Sequence, residues 1–189
     1  MFNKKISFMA VFIILLSIVL SGCGRENTPT VSVGSNGYTV IDSTGQKLEF
    51  TDPPKRIASL SVSVDEILLD LIPPDRIVAL TGYADDPGIS AVPDKAKAVK
   101  GRIRSKSIEE IITLAPDLLI APDWLSGNII EGLKGVGLKV YVFKTPSTIA
   151  EIKKAINDIA EVTGDRSAGD NLIEKMDKKE LILFILSER

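Results

Sequence analysis

The residues that could do chemistry are best sorted first by what is missing. Histidine does not occur among the 189 residues, which removes the usual general base, the commonest metal ligand and any Ser-His-Asp triad. Cys23 is the only cysteine, and no Walker-type phosphate loop is present. An enzyme is therefore not expected, nor a resident metal or cofactor. What remains is a cationic run, Lys100, Arg102, Arg104 and Lys106. Arginine grips a carboxylate or phosphate through two parallel hydrogen bonds, so the chemistry this run offers is recognition of an anionic ligand. The competing reading is a solvated basic loop. The whole chain has a formal net charge of −2, which gives no electrostatic footprint for a nucleic-acid partner.

The elements that must position such groups follow from periodicity. Two short strand-like runs, residues 38–41 and 47–50, flank the turn-forming Asp42-Ser43-Thr44-Gly45 and predict a small hairpin. From Arg56 onward, apolar runs at residues 57–60, 76–81, 117–121 and 139–143 alternate with amphipathic stretches, the pattern of a parallel sheet flanked by helices. Three capping-box sequences mark helix starts: Ser63-Val64-Asp65-Glu66, Ser107-Ile108-Glu109-Glu110 and Thr148-Ile149-Ala150-Glu151. The inward stripes are Val64, Ile67, Leu68 and Leu71 in the first helix, Ile108, Ile111 and Leu114 in the second, and Ile149, Ile152, Ile156 and Ile159 in the third. Ligands of open α/β sheets sit at the carboxyl ends of the strands. Here those ends are Leu60-Ser61-Val62-Ser63, Gly82-Tyr83-Ala84-Asp85-Asp86-Pro87, the basic run expected as a loop, and Pro122-Asp123-Trp124. Residues 165–179 are helix-compatible, and the apolar, aperiodic residues 181–186 are expected to break the helical pattern just before the chain stops.

The amino terminus carries an address. Lys4 and Lys5 precede an uncharged segment with an apolar heart, the form of an export signal over residues 1–22. Leu20-Ser21-Gly22-Cys23 resembles the bacterial lipobox, which implies cleavage before Cys23 and lipidation of its sulfur. Residues 23–37, rich in Gly, Ser, Thr and Asn, then read as a flexible stalk. The expected location is the extracytoplasmic face of the cell membrane, held by a lipid anchor.

Beyond the stalk the order of motifs resembles one family. Pro54-Lys55-Arg56-Ile57 leading to Leu60-Ser61, then Asp65-Glu66, Arg76-Ile77-Val78-Ala79-Leu80, Tyr83 with Pro87, Ile108-Glu109 and Ala115-Pro116-Asp117-Leu118-Leu119-Ile120-Ala121 together resemble the amino-terminal lobe of siderophore/haem/cobalamin-type periplasmic binding proteins of ABC importers. The resemblance implies a Rossmann-like α/β lobe over residues 38–164, with residues 165–189 as a truncated inter-lobe helix ending in an aberrant apolar tail. It implies an anionic iron chelate, haem or corrinoid as ligand, with Ser61, Tyr83, Arg102, Arg104 and Trp124 at the cleft. It also implies that Glu109 docks on a permease coupled to its ATPase, where the plain alternative is a first-turn carboxylate favoured by the helix dipole. Direct capture of Mn or Zn is disfavoured by the missing imidazoles. A single-lobe surface lipoprotein acting as an interaction module, outside transport, is the alternative reading.

Overall fold

The computed structural model describes residues 37–187, with side chains as far as residue 180. Residues 1–36, where the sequence led us to expect an export signal, the lipobox Cys23 and a stalk, lie outside the described residues.

The hairpin forms as expected: β1 (Tyr38–Ile41) pairs antiparallel with β2 (Lys47–Phe50). Its turn is built around Asp42, whose Oδ1 accepts from the Thr44 N–H at 2.9 Å, the Thr44 hydroxyl at 2.6 Å and the Gln46 N–H at 2.9 Å. Gly45 supplies the left-handed residue, at φ 85°.

The remaining strands form one parallel sheet. They are β3 (Ile57–Ser59), β4 (Ile77–Thr81), β5 (Gly101–Ile103), β6 (Leu118–Pro122) and β7 (Val140–Phe143), in the order β5-β4-β3-β6-β7. Every pairing is parallel, so each connection is a crossover. The chain builds outward from β3 through β4 to β5, then returns across the sheet to β6 and β7. Strand order therefore reverses between β3 and β6.

Both faces of the sheet are covered, as its apolar strands require. On one face α1 (Val62–Leu71), α5 (Ile149–Thr163) and the leading part of α6 (Arg166–Ser187) pack with Ile57, Leu118, Ile120, Tyr141 and Phe143. On the other, α3 (Ile108–Thr113) and α4 (Gly127–Gly135) pack with Ala58, Leu119, Ala121, Val140 and Val142. The alternation of these sets along each strand is the two-residue period of the pleat. A short helix, α2 (Pro93–Ala96), precedes β5.

Four details depart from the sequence expectations. First, α1 starts at Val62 with Ser61 at its N-cap, not at the Ser63 box, and the Ser63 hydroxyl instead sits 2.9 Å from that of Ser61. Second, Ile149 is exposed, because it is the first residue of α5 and lies beyond the part of the helix that covers the sheet, while Ile156 and Ile159 are buried. Third, the backbone of α6 stays helical through residues 181–186: helical bonds are local, and Leu is a strong helix former whether or not its spacing makes a stripe. Fourth, α2 and α4 have no counterpart among the expected helices.

Arg76 ties the junction of α5 and α6 to the start of the sheet. Its Nε and Nη2 donate to the Pro54 carbonyl at 3.1 and 2.9 Å, Nη2 also donates to the Thr163 carbonyl at 2.6 Å, and Nη1 reaches Asp165 Oδ2 at 2.8 Å. Gly164 ends α5 at φ 81°, where a Cβ would lie 2.9 Å from Pro53 Cγ. Replacing Arg76 by Met should lower the unfolding free energy by about 2–4 kcal/mol, since two carbonyls and a carboxylate lose a charged donor at once. Urea denaturation is the check. A lower midpoint with an unchanged slope is expected, and an unchanged midpoint would show that the junction is held without this residue.

Candidate functional site

The sheet leaves its polar groups at the strand ends, and the ends that meet at the order reversal surround a pocket of about 420 Å³. Its wall includes Leu60, Ser61, Tyr83, Arg104, Lys106 and Trp124, so β3, β4, β5 and β6 each contribute the residues that follow them.

Behind β3, Ser61 stands at the N-cap of α1 with its hydroxyl on that of Ser63 and not on a helix N–H, so the start of this ten-residue helix, which lines the pocket, has no side-chain cap. Asp65, one turn further on, is wholly buried. Its Oδ2 accepts from the Thr81 N–H at 3.1 Å and the Thr81 hydroxyl at 2.6 Å, which pins the end of β4 to α1. Oδ1 has no hydrogen-bond partner among the described residues. Burial pushes the Asp65 carboxyl up to about 6, with the bonds from Thr81 opposing the shift.

Past β4 the chain turns twice in succession, with the Ala84 N–H on the Thr81 carbonyl and the Asp86 N–H on the Tyr83 carbonyl. Tyr83 stands on that double turn, 61% exposed. After β6, Asp123 accepts from the Thr145 hydroxyl at 2.8 Å, and its N–H donates to the Phe143 carbonyl, fastening the Trp124 turn to the end of β7. Trp124 is 56% exposed, and Lys106 Nζ lies 4.5 Å from its ring centroid, a cation–π arrangement.

The basic run divides. Residues 101–103 are strand β5 rather than loop, which is possible because position 101 is glycine: a Cβ there would lie 2.0 Å from the Val78 carbonyl oxygen. Arg102 is thereby turned away from the pocket, its side chain 8% exposed and bound to Asp85 and three backbone carbonyls. Arg102, expected to grip the ligand, does not line the pocket, and all five of its N–H donors are already bound. Lys100 is exposed outside the pocket.

Arg104 and Lys106 do line it, together with Ser105. Glu110 shapes that segment, its carboxylate accepting from the Arg104 and Ser105 N–H groups at 3.0 Å each and from the Ser105 hydroxyl, which holds its carboxyl below the usual range. Ser107 caps α3 as expected, accepting from the Glu110 N–H at 3.1 Å. The return bond that a capping box would give to Ser107 goes instead to the loop upstream. Glu109, the neighbouring first-turn carboxylate, is exposed and makes no ion pair among the described residues.

Of the residues expected at the cleft, the structure brings Ser61, Tyr83, Arg104 and Trp124 together around one pocket and leaves Arg102 outside its lining. Sequence reasoning missed Asp65, Asp85 and Glu110 as supports. The only local signal for Asp65 was a carboxylate immediately beside the apolar stripe of α1.

Since the folded-state pKa of Asp65 lies above the carboxylate value of 3.8, its protonated form is the one folding favours. Its contribution to stability is complete below about pH 4 and is lost as pH rises through about 6, a change on the order of 3 kcal/mol. Urea denaturation of the wild type and Asp65→Asn between pH 4.5 and 7.5 should therefore show the wild type losing stability relative to the variant as pH rises. A pH-independent difference would mean that Asp65 titrates normally.

The family model described as periplasmic binding protein matches residues 57–181. Among curated relatives, the chain is 26% identical over 181 residues to an uncharacterized ABC transporter substrate-binding lipoprotein, YvrC, of Bacillus subtilis, covering 92% of this chain and 56% of that protein. It is 31% identical over 122 residues to the vitamin B12-binding protein of Vibrio vulnificus, covering 63% and 42% respectively. The solved structure of a possible iron-binding (periplasmic solute-binding) protein from Staphylococcus epidermidis superimposes with a TM-score of 0.58 at 25% identity, covering 67% of this chain and 49% of that one. The chain spans about half the length of the curated relatives it matches. With a parallel sheet whose strand order reverses at the pocket and a family match over most of the described residues, this chain belongs to the periplasmic binding protein family.

Proposed function

We propose that this chain is the ligand-capturing component of an ABC importer for a ferric siderophore, haem or cobalamin, tethered to the outer face of the cell membrane through a lipidated Cys23. The observation that carries the reading is the pocket at the strand-order reversal, where the largely exposed Tyr83 and Trp124 stand beside Arg104 and Lys106, the latter over one face of the Trp124 ring. Flat rings suit the faces of macrocycles and catecholates, and the two cations suit carboxylate or phenolate groups at a ligand's rim. The uncapped start of α1 adds a partial positive charge to the same wall.

A pocket on one lobe covers one side of a ligand; the resemblance implies a second lobe that closes over the other. Burying most of a ligand's surface is what gives such sites their affinity. Glu109, exposed at the first turn of α3, is the group we assign to docking on a basic pocket of the permease. Two or more acyl chains on the amino-terminal cysteine would make attachment to the membrane lasting, whereas a single chain gives marginal binding.

Trp124 is the only tryptophan in the chain, so its fluorescence reports the pocket directly. Haemin, a ferric tricatecholate and cyanocobalamin, titrated separately, should include at least one probe that quenches it saturably. Silence with all three would remove this ligand class. Arg104→Ala combined with Lys106→Ala should weaken the anionic probes by more than about tenfold and spare uncharged cyanocobalamin. An equal loss for all three would point to a steric role for these side chains. Expression in a bacterial host with labelled palmitate should mark the wild type and leave Cys23→Ser unlabelled; label on the variant would refute the anchor assignment.

A further inference from the structure

The loop bearing Tyr83 is fastened on both sides to β5. Upstream, the Gly82 N–H donates to the Ile103 carbonyl at 2.9 Å. Downstream, Asp85 receives two parallel bonds from Arg102, Nε to Oδ2 at 2.7 Å and Nη2 to Oδ1 at 2.5 Å. Between the two fastenings only Tyr83 and Ala84 intervene, and Ala84 is wholly buried. The rest of the guanidinium is equally committed: Nη1 donates to the Val99 and Gly101 carbonyls at 2.7 Å each, and Nη2 to the Ala96 carbonyl at 2.9 Å. Five donors with five acceptors leave the planar group a single orientation, which a lysine could not reproduce.

Tyr83, by contrast, is 61% exposed as a residue, so packing does little to hold its ring and its position follows from its backbone. We propose that Arg102 is a positioning residue that sets where Tyr83 stands in the pocket wall, acting through Asp85 and without touching the ligand. Its effect on ligand capture rests on the pocket reading above; its hold on the loop does not. Arg102 also joins the carbonyls of residues 96, 99 and 101 to the Tyr83 loop. The edge of the sheet and the Tyr83 loop are therefore joined through one side chain.

The test compares the full wild-type chain with Asp85→Asn, Arg102→Lys, Tyr83→Ala and the double variant Asp85→Asn with Tyr83→Ala. Asp85→Asn is the gentler change, because Arg102 keeps its three carbonyl partners. Hydrogen exchange of residues 82–86 should quicken by about tenfold in Asp85→Asn and Arg102→Lys, with β6 and β7 unchanged. Haemin and cyanocobalamin, read by Trp124 quenching, should bind Asp85→Asn about three- to tenfold more weakly. In the Tyr83→Ala background Asp85→Asn should cost nothing further, since a fastening that acts through Tyr83 has nothing left to position. Unchanged exchange at residues 82–86, or affinity losses that multiply in the double variant, would overturn the proposal. If neither probe quenches the wild type, the pocket reading falls, and the exchange measurement alone decides whether Arg102 holds the loop.

Discussion

β3 is hydrogen-bonded along both of its edges, to β4 on one side and β6 on the other, and everything in this lobe that could meet a ligand hangs from that double pairing. The chain leaves β3 in one direction across the sheet and comes back to its other edge. The loops after β3 and β6 must therefore part, one passing to each face, and a crevice opens between them. Leu60 still pairs with Ile120 across the two strands at 3.0 Å, so the crevice starts where the ladder ends. The pocket is a consequence of connectivity before it is a matter of side chains.

A sheet covered on both faces cannot keep polar groups in its interior unless they are bonded, and the polar side chains of this lobe are accordingly spent at its margins. Asp117 accepts from the Lys55 and Arg56 N–H groups at 2.7 and 3.0 Å, closing the entry to β3. Arg56 in turn binds the Leu114 and Ala115 carbonyls, holding Ala115 at a positive φ of 47° that an alanine adopts only under constraint. Asp42 and Glu110 each collect two backbone N–H groups from a neighbouring turn, and Glu151 takes the N–H and hydroxyl of Ser147. The turn of the hairpin meets the outer edge of β7, with the Ser43 N–H on the Val142 carbonyl at 2.9 Å and the Val142 N–H reaching Asp42 Oδ2 at 3.4 Å.

This commitment sharpens the site. Once Arg102, Asp85 and Glu110 are engaged with backbone or with each other, the groups left facing the pocket are two aromatic rings, two cations and the hydroxyl-bearing start of α1. The outward-facing carboxylate of Glu109 stands one residue before Glu110, whose own carboxylate is folded back on the loop. Adjacent glutamates on one helix turn thus meet different surroundings, because a helix sends successive side chains about 100° apart.

The sequence by itself determined what local periodicity and local chemistry can encode. The hairpin bounds, the four apolar strands to within a residue, the capped starts of α3 and α5, and the loops holding Ser61, Tyr83 and Trp124 were all legible there. Each depends on residues within a few positions of one another. Tertiary structure alone decided the fate of the basic run. A three-residue strand with arginine at its centre has no periodicity to display, and β5 exists because Gly101 lets the chain approach Val78 and because β4 supplies its ladder. Arg102 became a fastener through a carboxylate 17 residues away, and Asp65 through a threonine 16 residues away. Spacing along the chain cannot reveal such partners, since a hydrogen bond depends on distance in space, and that distance is set only when the sheet assembles.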